Sequence, residues 1–134
     1  MNLILSPGLI EEMVRHARSV LPLESCGLLA GSDRMATRFL PITNRLASRT
    51  EFDMEPAELV AALRSFRTNG ESLLAIFHSH PLGPAMPSAR DVELSMYPEA
   101  VYVIASLASP ESPEVRGFRI VDGKVVEVEL HVIV

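Results

Sequence analysis

The chain has 134 residues and a net charge of −5, from 12 basic and 17 acidic side chains. Its 48% hydrophobic and 22% charged residues are typical of a globular protein and exclude a disordered chain. The length predicts one domain over residues 1–134. The acidic balance argues against nucleic-acid binding. No apolar run approaches the ~20 residues of a membrane helix, so we expect no membrane partner.

In the first part of the chain we predict two helices and three strands. Ser6 is the expected N-cap of the first helix, with Pro7 at its first position and Pro22 ending it. The second helix is expected to begin at Glu55-Pro56 and to end at Asn69-Gly70. Strands are predicted at 2–5, 26–31 and 35–42, with a turn at 31–33, a polar loop at 43–50 and a short extended piece at 51–54.

The second part of the chain is predicted to consist mainly of strands. Residues 72–80 are almost continuously apolar, which indicates a strand buried on both faces. A proline-rich loop follows, then a short helix over 88–96 with Ser88 as N-cap, and a buried strand at 100–107. The last twenty residues predict a hairpin around Asp122-Gly123. The interleaved helices and the closing hairpin predict an α/β fold with a mixed sheet flanked by helices.

The best candidate for chemistry is the pair His78 and His80. Side chains alternate along a strand, so both rings are expected on one face, with Ser79 on the other. Two neighbouring imidazoles at a strand end could share a zinc ion, although two half-exposed histidines remain an equally simple interpretation. The other histidines, His16 and His131, have no obvious acidic or histidine companion, and we interpret each as a surface or packed histidine.

Asp91 is the candidate third ligand. It lies in the first turn of the short helix, three residues after Ser88. This spacing is also that of a capping box, so simple helix capping is the alternative role for the pair. The two roles are compatible, because a carboxylate that caps the helix could also face a metal.

Together these residues form the motif H-[ST]-H-x7-S-x2-D, which resembles the signature of the JAMM (MPN+, Mov34/PAD-1) metalloproteases. The resemblance extends over most of the chain. LPLESCGLLAG resembles the family's E-x-CG-L-L-x-G segment, and TNRLASRTEFDMEP resembles its N…S…F-x-[MD]-x-P stretch. The short length is similar to that of the stand-alone bacterial and archaeal members, among them sulfur-carrier peptidases.

The resemblance implies a JAB/MPN α/β sandwich, similar to the cytidine-deaminase fold, and a Zn²⁺ site formed by His78, His80 and Asp91. It also implies two catalytic residues. Glu24 would be the general acid/base, a role that its position in the sequence does not suggest by itself. Ser88 would donate a hydrogen bond to the oxyanion.

The implied substrate is a small ubiquitin-like or sulfur-carrier protein whose C-terminal Gly-Gly is joined to an amino acid or a lysine. Two alternatives are a non-catalytic MPN-type scaffold that only binds partners and a zinc hydrolase of another small amide. The one cysteine, Cys26, excludes an internal disulfide and, with the absence of a secretory signal, predicts a cytoplasmic protein. We interpret Cys26 as a packing residue.

Overall fold

This computed structural model describes residues 2–133. These residues contain seven strands and three helices joined by loops and turns. The strands are β1 (Asn2–Leu5), β2 (Cys26–Ser32), β3 (Met35–Ile42), β4 (Ser72–His80), β5 (Val101–Ser106), β6 (Glu114–Val121) and β7 (Lys124–Val132). The helices are α1 (Leu9–Ser19), α2 (Pro56–Thr68) and α3 (Ala89–Glu93). Among these described residues, no helix combines the length and apolar character needed to span a membrane.

The strands form one mixed sheet in the order β1-β3-β2-β4-β5-β6-β7, which closes on itself. Closure depends on β1, which pairs in parallel with β3 on one side and with β7 on the other. At the centre, β4 pairs antiparallel with β2 and parallel with β5. The predicted mixed sheet is therefore confirmed, and its closure through β1 is an additional feature that the sequence did not indicate.

Two apolar clusters pack on opposite faces of the sheet, and β4 contributes to both. Phe77 packs with α1 in one cluster, whereas its neighbour Ile76 packs with α2 in the other. Such alternation is the period-two pattern of a strand. From Ala75 to His80 every residue of β4 is buried, as the apolar run predicts. The end of β4 is consequently held rigidly between the two layers.

Several predicted boundaries differ from those observed. Helix α1 begins at Leu9 after Gly8, whose φ of 88° is left-handed, so Ser6 is not its N-cap. The helix ends at Ser19, three residues before Pro22. The turn between β2 and β3 lies at Asp33 and Arg34, with φ values of 51° and 65°. The third helix ends at Glu93, so the predicted extension to residue 96 is also wrong.

Gly31 explains why the β2–β3 turn lies later than predicted. A Cβ atom at this position would lie 1.9 Å from the carbonyl oxygen of Met35. The glycine therefore allows the close approach of β3 within the sheet, at a register shift between Ala30 and Gly31. It serves the strand pairing and leaves the turn to the two residues that follow Ser32.

Candidate metal centre

The end of β4 brings two imidazoles together, as the alternation of its side chains predicts. The Nε2 atoms of His78 and His80 lie 3.0 Å apart, and the residues are only 1% and 8% exposed. Ser79 points the other way, where its Oγ accepts from the backbone N–H of Ser25 at 2.9 Å and bonds to the Ser25 hydroxyl at 2.7 Å. These bonds fix the start of β2 beside the histidines.

Asp91 approaches the histidines from α3. Its Oδ2 lies 3.1 Å from the Nε2 atom of His78 and 3.1 Å from that of His80. A capping box orients this carboxylate, because Ser88 N–H donates to Asp91 Oδ2 at 2.9 Å and Asp91 N–H donates to Ser88 Oγ at 3.1 Å. The structure thus places the predicted cap and the three predicted ligands in one cluster.

The chemistry of these three donors fits a cation. His80 Nδ1 lies 2.8 Å from the carbonyl oxygen of Pro84, which can only accept, so this nitrogen carries the proton. In a neutral His80 the Nε2 lone pair then faces a carboxylate oxygen of Asp91. Two acceptors at this distance need a proton or a metal ion between them, and two imidazole nitrogens with one carboxylate oxygen are ordinary zinc ligands.

The protonation preferences of the two histidines differ. Burial lowers the pKa of His78 and favours the neutral ring that metal binding requires. Burial alone would raise the pKa of Asp91, but its contacts with His78 and His80 hold it well below the usual range. For His80, burial is outweighed by Asp91 and the Pro84 carbonyl, and its pKa is raised. The cluster therefore favours a negative carboxylate with a positive charge beside it.

Glu24 lies beside the cluster, immediately before β2. A carboxylate oxygen of Glu24 lies within 4.8 Å of a ring nitrogen of both His78 and His80. The residue is 4% exposed, and its Oε1 is buried with no hydrogen-bond partner among residues 2–133. Burial raises the pKa of Glu24 to about 7, with His80 opposing this shift and Asp91 and Glu51 adding to it. Glu24 can therefore gain and lose a proton near neutral pH.

The irregular segment 43–55, between β3 and α2, borders the cluster at His78. Its residue Phe52 stacks on the His78 ring, with 4.5 Å between ring centroids and 22° between planes. Glu51, the preceding residue, forms an ion pair with Arg90 of α3 at 2.5 Å. Sequence reasoning did not assign a role to Phe52, although the residue belongs to the F-x-[MD]-x-P stretch.

A groove of about 820 Å³ opens beside the cluster. Glu24, Arg49, Thr50, His80 and Ser88 contribute its polar wall. The remaining wall is mostly apolar and includes Leu21, Pro22, Leu82, Pro84, Met86, Leu107 and Pro110. A smaller cavity of about 340 Å³, which also touches Glu24, lies toward His16 and Glu58. The larger groove thus combines a mostly apolar wall with polar groups on the side of the cluster.

Cys26 has the surroundings of a packing residue. Its thiol is buried and donates to the carbonyl oxygen of Ile42 at 3.3 Å. Burial, with Glu58, Asp53 and Glu24 adding to its effect, raises the pKa of the thiol to about 12. A nucleophilic cysteine needs a lowered pKa, so the geometry agrees with a packing role.

Comparison with known proteins identifies relatives over most of the chain. Residues 6–121 match the family profile described as "Prokaryotic homologs of the JAB domain". A "CysO-cysteine peptidase" from Mycobacterium tuberculosis is 39% identical, with 98% of this chain aligned to 91% of that protein. A "Probable TtuB-protein conjugate cleaving protease" from Thermus thermophilus is 44% identical over 64% of this chain and 58% of its own length.

A solved structure supports the same fold. The crystal structure of a JAB1/MPN domain protein from Archaeoglobus fulgidus superimposes with a TM-score of 0.66, covering 98% of each chain at 22% identity. At this identity the likeness shows the fold alone, which confirms the α/β arrangement expected for a JAB/MPN sandwich. The motif residues described above lie at the end of β4 and on α3 of this fold.

Proposed function

This chain belongs to the family of prokaryotic homologs of the JAB domain, and we propose that it is a zinc-dependent peptidase of the JAMM type. In this proposal it hydrolyses the amide bond that follows the C-terminal Gly-Gly of a small ubiquitin-like or sulfur-carrier protein. The observation that carries the proposal is the convergence of the His78, His80 and Asp91 donor atoms, with a buried Glu24 oxygen beside them that has no hydrogen-bond partner among residues 2–133.

We assign His78, His80 and Asp91 as the residues that would hold Zn²⁺. Bound zinc would polarise the substrate carbonyl and lower the pKa of a water molecule toward about 7. Glu24 is an alternative third ligand, since its carboxylate lies within 4.8 Å of the histidine nitrogens. Asp91 is the better candidate, because its Oδ2 is only 3.1 Å from both Nε2 atoms and is fixed by the capping box.

Glu24 is the proposed general acid/base. Its buried carboxyl group has a pKa raised to about 7, so it can accept a proton and return it within one reaction cycle. The backbone of Glu24 is fixed at both its N–H and its C=O. The N–H donates to the Ser48 carbonyl at 2.8 Å, and the C=O accepts from the Asn44 side chain at 3.1 Å. In the proposed reaction Glu24 would take a proton from the attacking water and deliver it to the amine as the amide C–N bond breaks.

Ser88 is the proposed oxyanion donor. Its Oγ accepts one hydrogen bond from Asp91 N–H, and this bond leaves the hydroxyl proton available. The same side chain can therefore cap α3 and donate into the groove that Ser88 helps to line. Such a donor stabilises the negative charge that develops on the carbonyl oxygen.

The groove and the relatives support the substrate class. The groove wall is largely apolar and touches Glu24, His80 and Ser88, which suits an extended, uncharged chain end. The M. tuberculosis relative is named for a CysO-cysteine adduct and the T. thermophilus relative for TtuB-protein conjugates. We transfer from these names a substrate in which a small carrier protein is joined to another group. The cytoplasmic location stays a prediction.

The decisive experiment combines metal analysis with a cleavage assay. Protein purified without chelator should contain close to one zinc per chain. Zinc-loaded protein should release the amino acid from a carrier–Gly-Gly–cysteine adduct, and an adduct with Ala-Ala in place of Gly-Gly should react poorly. Stoichiometric zinc without any cleavage of carrier adducts would favour a hydrolase of another small amide. Absence of both zinc and turnover would favour the scaffold alternative.

A further inference from the structure

The two histidines of the cluster are held in different ways. The ring of His80 is oriented by the bond from its Nδ1 to the Pro84 carbonyl, at 2.8 Å. In His78 the corresponding nitrogen, Nδ1, is buried and has no hydrogen-bond partner among residues 2–133. Metal-binding histidines usually donate this second N–H to an oxygen, which fixes the plane of the ring. His78 therefore needs another restraint.

Phe52 occupies the position from which such a restraint can act. Its ring lies nearly parallel to that of His78, with centroids 4.5 Å apart and an angle of 22°. Rotation of the imidazole about its Cβ–Cγ bond would drive the ring edge into the phenyl face. The stack thus fixes the ring plane, while Asp91 contacts its Nε2 at 3.1 Å.

The backbone around Phe52 is itself fixed, by the side chain of Asn44. The amide group of Asn44 donates to the Glu51 carbonyl at 3.0 Å and accepts from Asp53 N–H at 3.1 Å, so it binds the residues on both sides of Phe52. The same amide nitrogen donates to the Glu24 carbonyl at 3.1 Å. The Asn44 side chain therefore holds the backbone next to Phe52 and the backbone of Glu24, the candidate general base.

We propose that Phe52 is a positioning residue for the metal centre. Phe52 fixes the His78 ring by stacking, whereas His80 is fixed by its hydrogen bond to the Pro84 carbonyl. Asn44 holds Phe52 in place. This inference rests on the metal site of the proposed function but not on the identity of the substrate. It assigns a role to two residues of the N…S…F-x-[MD]-x-P stretch.

The test measures zinc affinity by competition with a chromophoric chelator, which requires no substrate. Phe52→Leu keeps an apolar side chain but removes the ring, and it should weaken zinc binding about tenfold or more, as loss of a supporting contact commonly does. Phe52→Tyr keeps the aromatic ring and should bind zinc with an affinity close to that of the wild type. The matched control is Phe66→Leu, since Phe66 is a buried phenylalanine of α2 in the cluster against which Phe52 packs.

A second measurement separates positioning from general destabilisation. With Co²⁺ in place of zinc, the visible absorption spectrum reports ligand geometry; it should change in Phe52→Leu and remain unchanged in Phe66→Leu. Equal zinc affinity and identical spectra in wild type and Phe52→Leu would overturn the inference. So would a wild-type protein that binds no zinc. Normal zinc binding with no cleavage of any carrier adduct would instead count against the proposed function and leave the Phe52 comparison valid.

Discussion

At the residue scale, a substitution at Glu24 separates metal binding from catalysis. Glu24→Gln keeps the size of the side chain but removes the group that accepts a proton. We expect the variant to retain zinc and its fold, and to lose turnover by about 10²–10⁴. Metal analysis and a cleavage assay on the same preparation measure both effects. Near wild-type turnover would show that the general-base assignment is wrong.

His80→Ala is the complementary change, because it removes a proposed ligand and leaves Glu24 in place. This variant should lose zinc itself, and turnover should disappear with it. The pair of variants therefore separates the two roles: one keeps the metal without activity, and the other keeps the base without the metal. Stoichiometric zinc in His80→Ala would contradict the proposed ligand set.

Ser88 is expected to have two roles whose magnitudes differ. Loss of its capping bond to Asp91 should cost about 1 kcal/mol of stability, a decrease of a few degrees in Tm. Loss of an oxyanion donor should lower kcat by about 10²–10³. Ser88→Ala should therefore melt slightly lower, keep its zinc and lose most of its turnover. A lower Tm with an unchanged kcat would leave Ser88 with the capping role alone.

Cys26 should be unreactive in the folded protein. Its thiol is buried, bonded to the Ile42 carbonyl and shifted to a pKa of about 12, so almost no thiolate forms at neutral pH. A thiol reagent should modify less than a few per cent of the native protein in the time that fully labels it in denaturant. Rapid labelling under native conditions would contradict the packing role.

At the element scale, the two hairpins offer a direct comparison of turn chemistry. Asp33 and Arg34 join β2 to β3 with φ values of 51° and 65°, and Asp122 and Gly123 join β6 to β7 with 52° and 76°. The φ values are similar, but only the second turn has a glycine at its second position. A side chain in the left-handed region is strained, so Arg34 carries a cost that Gly123 avoids.

We therefore expect Arg34→Gly to raise the free energy of unfolding by about 0.5–1 kcal/mol, after allowing for the greater freedom of glycine in the unfolded chain. Gly123→Arg should lower it by a similar amount, since the space around Gly123 is open and only backbone strain is added. Chemical denaturation of both variants measures this. Opposite signs support the argument, whereas a loss of stability in Arg34→Gly would refute it.

The elements also show where sequence reasoning succeeds and where it stops. The alternation of β4 was enough to place His78 and His80 on one face, and the spacing to Ser88 located the cap that orients Asp91. The proximity of Glu24 depends on the antiparallel register in which Cys26 faces His78, and no local pattern in the sequence encodes that pairing. Only the family resemblance pointed to Glu24.

Phe52 was missed for a related reason. Its contact with His78 depends on the path of an irregular segment, which is set by side-chain bonds of Asn44 and not by any periodic pattern. Ser6 and Pro7 form a conventional start signal and predict an earlier start of α1, whereas the helix begins after the left-handed Gly8. Local signals predicted which elements form but not where α1 begins or how the irregular segment reaches His78.

At the scale of the whole molecule, the proposed metal joins α3 to the end of β4 and should stabilise the fold. A ligand that binds only the native state at 100 times its Kd adds about 2.7 kcal/mol, which corresponds to a rise of roughly 10 °C in Tm for a chain of this size. Thermal melts with zinc and with a chelator measure the difference. His80→Ala is the control, and its Tm should not respond to zinc. An equal response in both proteins would place the stabilising metal elsewhere.

Strand β1 has a consequence for the order in which the chain can fold during synthesis. Its partner β3 follows within about thirty residues, but the two share only the pairs Ile4–Met35 and Leu5–Ala36. Its longer pairing, from Asn2–Glu129 to Leu5–Val132, joins segments more than a hundred residues apart. A nascent chain therefore carries β1 without its main partner until β7 leaves the ribosome. Closing the sheet is then a late step, with a large loop entropy to overcome.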